Sequence, residues 1–437
     1  MVASSKRGGE PMAAHGGQPV WREQRGILHS LRTYPAFRLL FGTTLTTNAA
    51  FWMWSLLIGW LALVLTDSPF FVGLTGFLNG IPMLLVSLPA GVLIDRLDRR
   101  LVLFVAQVVV ALATVSLVLL LWLERLTPWQ LLLAAFVSGA GMAVVFTTRS
   151  ALVANLVGRE ALANAVALIS TAQNAPRIVG PALAGPLVSA FGLTGAFAVC
   201  ALFQVASVGI TWRLPAVRPS GNRSPFWGAF VEGLMTVWRR EQLLALMALA
   251  TLPTLLIFPY MNLLPVFARD ELGLGATGLG VLMALNGLGA VIGSVAVAAR
   301  REWGESPRVL VATVLLFAAA VFAFAQTSVP WLAAAFLLIA GVMGAVYMAT
   351  TNTLLQLAVE DEIRGRVLSV YLLTWGLLPI GTLPAGAVAD HWGAPLAVSL
   401  LVVLAVLAIG AVALRFPLLR RSSLVSEQRF SADTGRS

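Results

Sequence analysis

Apolar residues along this chain neither alternate with polar ones nor keep to a single helical stripe. They come in long runs of about 18 to 28 residues, separated by short polar segments rich in Gly, Pro and Arg. Crossing about 30 Å of hydrocarbon at 1.5 Å per residue takes roughly 20 helical residues. Twelve runs are long enough: residues 39–65, 70–94, 101–123, 129–148, 161–188, 193–212, 243–268, 277–299, 309–326, 331–357, 367–389 and 394–414. A bilayer offers the backbone no water, so each run is predicted to be a helix that satisfies its own amides. Twelve is even, which puts both termini on one side of the membrane.

The longest internal polar segment, residues 213–240, starts with Pro, Gly and Ser and ends in a helical pattern. Ser224 can cap, Pro225 suits the first turn, and Phe226, Trp227, Phe230, Val231, Leu234, Val237 and Trp238 form an apolar stripe suited to a membrane surface. It divides the chain into a tail (1–36), a six-helix bundle (37–212), a linker with an amphipathic helix (213–242), a second six-helix bundle (243–415) and a second tail (416–437). The halves repeat weakly. Gly180, Ala184, Gly185 and Gly192 return 201 positions later as Gly381, Ala385, Gly386 and Gly393. Gly141, Thr147 and Thr148 return as Gly344, Thr350 and Thr351, and Gly73, Asn79 and Gly80 as Gly280, Asn286 and Gly287. The expected fold is all-α and integral to the membrane, with twelve transmembrane helices in two pseudo-symmetric six-helix bundles. Glycines concentrate in the second, fifth, eighth and eleventh runs, where small residues permit close helix contact, so these four runs are expected to form the interface between bundles.

Composition excludes a soluble protein: of 437 residues 59% are apolar and 11% charged, whereas a soluble domain has about 25% charged residues. The net charge of +10 in a soluble chain would suggest nucleic acid, but here arginines flank the runs and set orientation. Only Arg125 and Arg269 lie in loops on the side opposite the termini, so both termini are expected in the cytoplasm of a multi-pass cell inner membrane protein. No nucleic-acid partner is expected. The single cysteine, Cys200, excludes an internal disulfide framework and a cysteine-ligated metal site. No cofactor, metal or cleavable signal peptide is expected, and the chain is expected to act as a monomer within the lipid bilayer.

After the second run the chain reads GVLIDRLDRR, residues 91–100. This resembles the signature loop of the major facilitator superfamily, Gly-x-x-x-Asp-Arg-x-x-Arg-Arg/Lys. REALANAVALISTAQNAPRIVGPALAG (159–185) and DEIRGRVLSVYLL (361–373) resemble the branch containing the enterobactin exporter and the macrolide efflux pumps. The resemblance implies the major facilitator fold, with Asp95 as an inner gate and Arg96, Arg99 and Arg100 as its latch. Physically, a carboxylate at the inner end of a helix can accept hydrogen bonds from Arg or from a helix N-terminus of the other bundle. The plainer alternative is that the arginines only enforce orientation and Asp95 is solvated.

Arg177 is the one charge inside a run. Such a group is costly in a membrane and is a functional candidate by default. Gln173 and Asn174 share its face. Arg177 either faces a cavity, attracting an anionic or carbonyl-rich substrate, or bonds the free carbonyls of a helix broken by Pro176 and Pro181. Further polar or aromatic candidates at cavity depth are Asn48, Trp52, Asn262, Asn286, Asn352, Gln356 and Trp375. Together they suggest a neutral, aromatic pocket for bulky amphipathic compounds, although each alone is more often an interhelical hydrogen bond. No run contains Asp or Glu, and Asp67, Asp270 and Asp390 sit at the outer ends. Protons are a candidate coupling ion without an obvious intramembrane carrier.

The runs lack the clustered His, paired carboxylates or nucleophile with its base that a membrane enzyme needs, and no phosphate-binding loop is present. The expectation is a secondary transporter without enzymatic activity. With the resemblance it becomes an efflux antiporter for small drug-like or siderophore molecules, a multidrug-resistance type of function. A facilitator, an importer or a transport-dead scaffold are the alternatives.

Overall fold

The computed structural model describes residues 27–94, 96–217 and 226–417. The regular structure among them is helical: α1 (His29–Thr33), α2 (Pro35–Thr66), α3 (Pro69–Ile94), α4 (Arg99–Trp122), α5 (Pro128–Leu156), α6 (Leu162–Trp212), α7 (Phe226–Arg239), α8 (Glu241–Leu256), α9 (Tyr260–Val266), α10 (Ala276–Ala299), α11 (Arg301–Gly304), α12 (Pro307–Ala325), α13 (Pro330–Leu357), α14 (Asp361–Thr374), α15 (Leu378–Trp392) and α16 (Ala394–Arg415). Several spans open on proline at the first turn, as with Pro35, Pro128, Pro307 and Pro330, where its missing amide costs nothing.

Two runs, the seventh and the eleventh, differ in detail from their expected form. The fifth and sixth are two helical arms, labelled together as α6, that meet in a reversal at the non-helical Gly192 (φ 68°, ψ 178°), a backbone conformation that glycine adopts without strain. Leu162 and Trp212 therefore lie at the same end: Ser30 Oγ donates to Ala161 O at 3.4 Å, and Arg100 Nη2 donates to Trp212 O. The seventh run is broken into α8, α9 and a π-helical turn (Phe267–Glu271), because Pro253, Pro259 and Pro265 each remove an amide from the ladder. The eleventh is broken into α14, a 3-10 turn (Trp375–Leu377) and α15, with Pro379 in the first turn of α15.

α2 to α6 pack on one another, as do α8 to α16, and the main contacts between the two groups run along α3 with α15 and α6 with α10. These are the glycine-rich runs. A Cβ on Gly73 would lie 2.8 Å from Gly386 Cα, and one on Gly280 would lie 2.5 Å from Pro181 O and 3.3 Å from Gly185 Cα. Gly73 and Gly280 are sequence equivalents, as are Gly386 and Gly185, so the two crossings are pseudo-symmetric versions of one contact. Within each half, Gly139 abuts the Asn79 carbonyl and Gly341 the Asn286 carbonyl so closely that a Cβ would overlap it. The fold is all-α, in two pseudo-symmetric six-helix halves.

In the linker, α7 packs on α14, with Gly233 against the Arg366 carbonyl and Glu232 paired with Arg366. Val231, Leu234 and Trp238 of the expected stripe remain exposed, and Val237 is buried. Ser224 and Pro225 lie outside the described residues.

Candidate functional site

The two halves touch at one end and part at the other. Seven residues after Arg177, the face of α6 has reached Ala184, and nearby Pro181 and Gly185 are buried against α10. Ser189 and Thr277 hydroxyls meet farther along at 2.7 Å. In the opposite direction the same face presents Asn174 and Ser170, both exposed, and Ser294 on α10 is exposed as well. A cleft thus opens toward the end that carries His29 and Arg415, and Arg177 lies where it closes.

At that point Arg177 Nη2 donates to Asn286 Oδ1 at 3.1 Å, and its guanidinium carbon sits 5.4 Å from the Trp52 ring centre. Arg177 Nε is buried without a hydrogen-bond partner. Asn286 Nδ2 donates to Tyr260 Oη at 2.9 Å and to Leu337 O at 3.2 Å. A carbonyl can only accept, so this pairing fixes which end of the amide faces Arg177. In the first half Asn79, the equivalent of Asn286, has an aromatic partner of reversed polarity: Trp54 Nε1 donates to Asn79 Oδ1 at 3.2 Å. Indole can only donate and so takes one acceptor site of the Asn79 amide oxygen, whereas the Tyr260 hydroxyl accepts from the Asn286 amide nitrogen and leaves the Asn286 oxygen turned to Arg177.

Of the sequence candidates, the structure brings together Arg177, Asn286 and Trp52. Gln173 and Asn174 share the cleft wall below, with Asn174 Nδ2 bonded to Ser170 O of its own helix. Asn48 is buried and bonds Thr44 O at 2.7 Å within α2. Asn262 lies on the closed side, where it donates to Thr382 Oγ1 at 3.1 Å and, with Ser55, Thr75 and Asn79, lines a cavity of about 30 Å³, room for one or two waters. Asn352 and Gln356 bond each other one turn apart on α13. Trp375 packs 5.3 Å from Phe258. Arg177, Asn286 and Trp52 thus meet in one cluster while Asn48, Asn352 and Gln356 bond within their own helices, and Tyr260, Asn79 and Trp54, which take part in the asparagine hydrogen bonds, were not among the sequence candidates. The offset of 207 that pairs Asn79 with Asn286 was the available signal.

Of the expected gate, Asp95 lies outside the described residues. Arg96 is exposed. Asp98 caps α4, accepting from Arg100 N at 2.9 Å and from Val217 N at 3.1 Å, and Arg99 N donates to Val217 O at 3.2 Å. The Arg100 guanidinium stacks 5.2 Å from the Trp212 ring centre and donates to its carbonyl. In this conformation Arg100 is thus held by its own half.

The closed end has contacts the sequence did not announce. The sharp α2–α3 turn, Asp67–Ser68, is held from both sides by the other half. Arg269 pairs with Asp67 at 2.6 Å and reaches Leu63 O at 3.4 Å at the end of α2, while Asp390 accepts from Ser68 Oγ at 2.7 Å and Phe70 N at 3.1 Å at the start of α3. A cation at a helix C-terminus and an anion at an N-terminus each complement the helix dipole. Asp67 and Asp390 are exposed and Arg269 and Ser68 are half-buried, so solvent screens each contact and keeps it weak, as a closure that must reopen requires.

Comparisons with known proteins agree with this architecture. Macrolide efflux protein A of Streptococcus pyogenes is 23% identical over 338 residues, covering 75% of this chain and 83% of that protein. Multidrug efflux pump Tap of Mycolicibacterium fortuitum is 26% identical over 412 residues, covering 90% and 98%. The staphyloferrin A transporter of Staphylococcus aureus is 22% identical, covering 78% and 86%. Among solved structures, a bacterial homologue of the human lysosomal transporter Spinster, inward-facing and unoccupied, superposes with a TM-score of 0.71 at 15% identity, covering 89% of this chain and 98% of that one. The profile of the transmembrane secretion effector family matches residues 28–434; the chain belongs to that major facilitator family, whose members are secondary transporters that move small solutes across the membrane by alternating access.

Proposed function

We propose that the chain is an exporter of small amphipathic molecules, drug-like compounds or siderophores, in the cell inner membrane, with both termini cytoplasmic. The observation that carries this reading is the polar and aromatic cluster of Arg177, Asn286, Tyr260 and Trp52 at the closed end of a cleft that opens on the termini side. A substrate entering from the cytoplasm would reach it directly. Efflux proteins similar along three quarters or more of the chain support the direction. Asp95, with the Arg96, Arg99 and Arg100 cluster, would close the cytoplasmic end in the other conformation, and the segments 37–212 and 243–415 would rock about the site.

The test is accumulation of a panel of labelled amphipathic compounds in cells with and without the gene. Export lowers accumulation, and a protonophore restores it if a proton gradient drives the cycle. Equal accumulation across the panel would remove the reading, and higher accumulation would make the chain an importer. A second reading, a facilitator, is favoured by the absence of Asp and Glu from the interior of the spans. For a facilitator the protonophore leaves movement down a gradient unchanged.

A further inference from the structure

Arg177 sits midway along the first arm of α6, roughly 22 Å of helix from both Leu162 and Gly192. The interior of the spans contains no Asp or Glu, and Asp67, Asp270 and Asp390 belong to the closed end. The guanidinium therefore has neutral company: the Asn286 amide oxygen at 3.1 Å and the Trp52 ring at 5.4 Å, with buried Nε unpaired.

Bracing of a broken helix does not account for this arrangement. A bracing arginine would bond the carbonyls that Pro176 and Pro181 release on α6, but the Arg177 hydrogen bond crosses to α10 in the other half. Asn286 is itself held by Tyr260 and Leu337, so it presents a fixed dipole and cannot supply charge. A Cβ on Gly287 would lie 2.9 Å from Arg177 O, so the backbones are already in contact and new polar partners must arrive from the open side. There Asn174 and Ser170 line the approach.

Resting on the reading of this cluster as the transport site, we propose that the transported molecule bears an anionic group, a carboxylate or phosphate, that docks on Arg177 and supplies its missing counter-charge. The planar fork suits a two-oxygen anion. Trp52 and the apolar walls take the remainder of the molecule. Because no interior carboxylate competes for the guanidinium, the site favours an anion over a neutral isostere without having to break an internal ion pair.

The test uses the full chain reconstituted in liposomes and matched probes: 2-naphthoate, 1-pyrenebutyrate and phenyl phosphate, with naphthamide, pyrenebutyramide and phenol as uncharged counterparts. Wild type is expected to take up the anions in preference to the counterparts by roughly ten- to a hundredfold, the worth of a hydrogen bond to a charged group. Arg177→Gln brings the ratio near one, and Arg177→Lys keeps part of it. Asn286→Asp installs a carboxylate beside Arg177 and is expected to abolish the preference for the anions. This second variant keeps the test decisive if Arg177→Gln fails to fold. Replacing chloride by isethionate separates the remaining source of counter-charge: amide uptake that needs chloride, with no preference for acids, means an inorganic ion fills the site and overturns the proposal. A ratio indifferent to all three substitutions overturns it while leaving the transport reading intact. Wild-type liposomes that move none of the probes overturn the anion proposal, and if they also fail with every compound of the cell panel, the transport reading falls with it.

Discussion

Asp390, in the last turn of α15, accepts a 2.7 Å hydrogen bond from the Ser68 hydroxyl of the other half. The same carboxylate accepts from Phe70 N at 3.1 Å, so it sits at the N-terminal end of α3. A carboxylate in this position on an exposed surface is worth about 1 kcal/mol, a factor of about five in the balance between closed and open states. Asp390→Ala should lower the closed-to-open ratio by that factor, and Asp390→Asn, which keeps an acceptor, by less. Spin labels at Trp129 and Trp331, exposed starts of α5 and α13 at the closed end, after Cys200→Ser, would report it as a longer distance. An unchanged distance distribution in Asp390→Ala would show that the apolar crossings alone hold the closure.

Orientation is tested at two exposed sites at opposite ends of the bundle. Glu124 follows α4 at the closed end, and Glu362 lies in the first turn of α14 at the open end. Single cysteines there, in the Cys200→Ser background, should differ: Glu124→Cys labels in intact cells and Glu362→Cys only after permeabilisation. The opposite result would invert the membrane orientation and put the cleft on the outside.

The spans were legible because hydrocarbon thickness dictates their length, and Arg177 because a charge in that setting stands out against an apolar background. The contact faces were legible through glycine, since Gly73, Gly185, Gly280 and Gly386 mark where backbones meet. What could not be read was which way a neutral polar side chain turns. Asn48 and Asn174 satisfy themselves on their own helices, while Asn286 reaches a neighbour. These outcomes have similar energies and the same residue type. Tyr260 was hidden for a further reason: its position depends on the breaks at Pro253 and Pro259, which displace α9 from a straight continuation of α8.

The close glycines separate two kinds of contact. Gly139 and Gly341 lie inside their halves, against the Asn79 and Asn286 carbonyls. Alanine at either position should lower thermal stability by roughly 1 to 3 kcal/mol, because a packed backbone cannot yield without shifting. Gly73 and Gly280 lie between the halves, which separate during transport. Alanine there should leave stability nearly unchanged and shift the spin-label distance toward the open state. Equal losses of stability at all four positions would argue that the halves do not part along α3–α15 and α6–α10.

The reversed hydrogen bonds of the two halves give the last prediction. Trp54→Phe and Tyr260→Phe each remove one polar contact to an asparagine, at Asn79 and Asn286 respectively. An interhelical hydrogen bond in a membrane protein averages about 0.6 kcal/mol, so both should cost a similar, small amount of stability. Their effect on transport should differ. Without the Tyr260 hydroxyl, Asn286 is held only through Leu337 O, and its oxygen is less firmly aimed at Arg177, so affinity for a transported compound should fall roughly threefold, the same 0.6 kcal/mol expressed as binding. The Trp54 change ends at Asn79, which has no charged partner among the described residues, and should leave affinity alone. Comparing dissociation constants for one compound in the two variants checks this. Equal losses of affinity would mean that the two asparagines serve the site symmetrically and that the Arg177 contact has no special part in it.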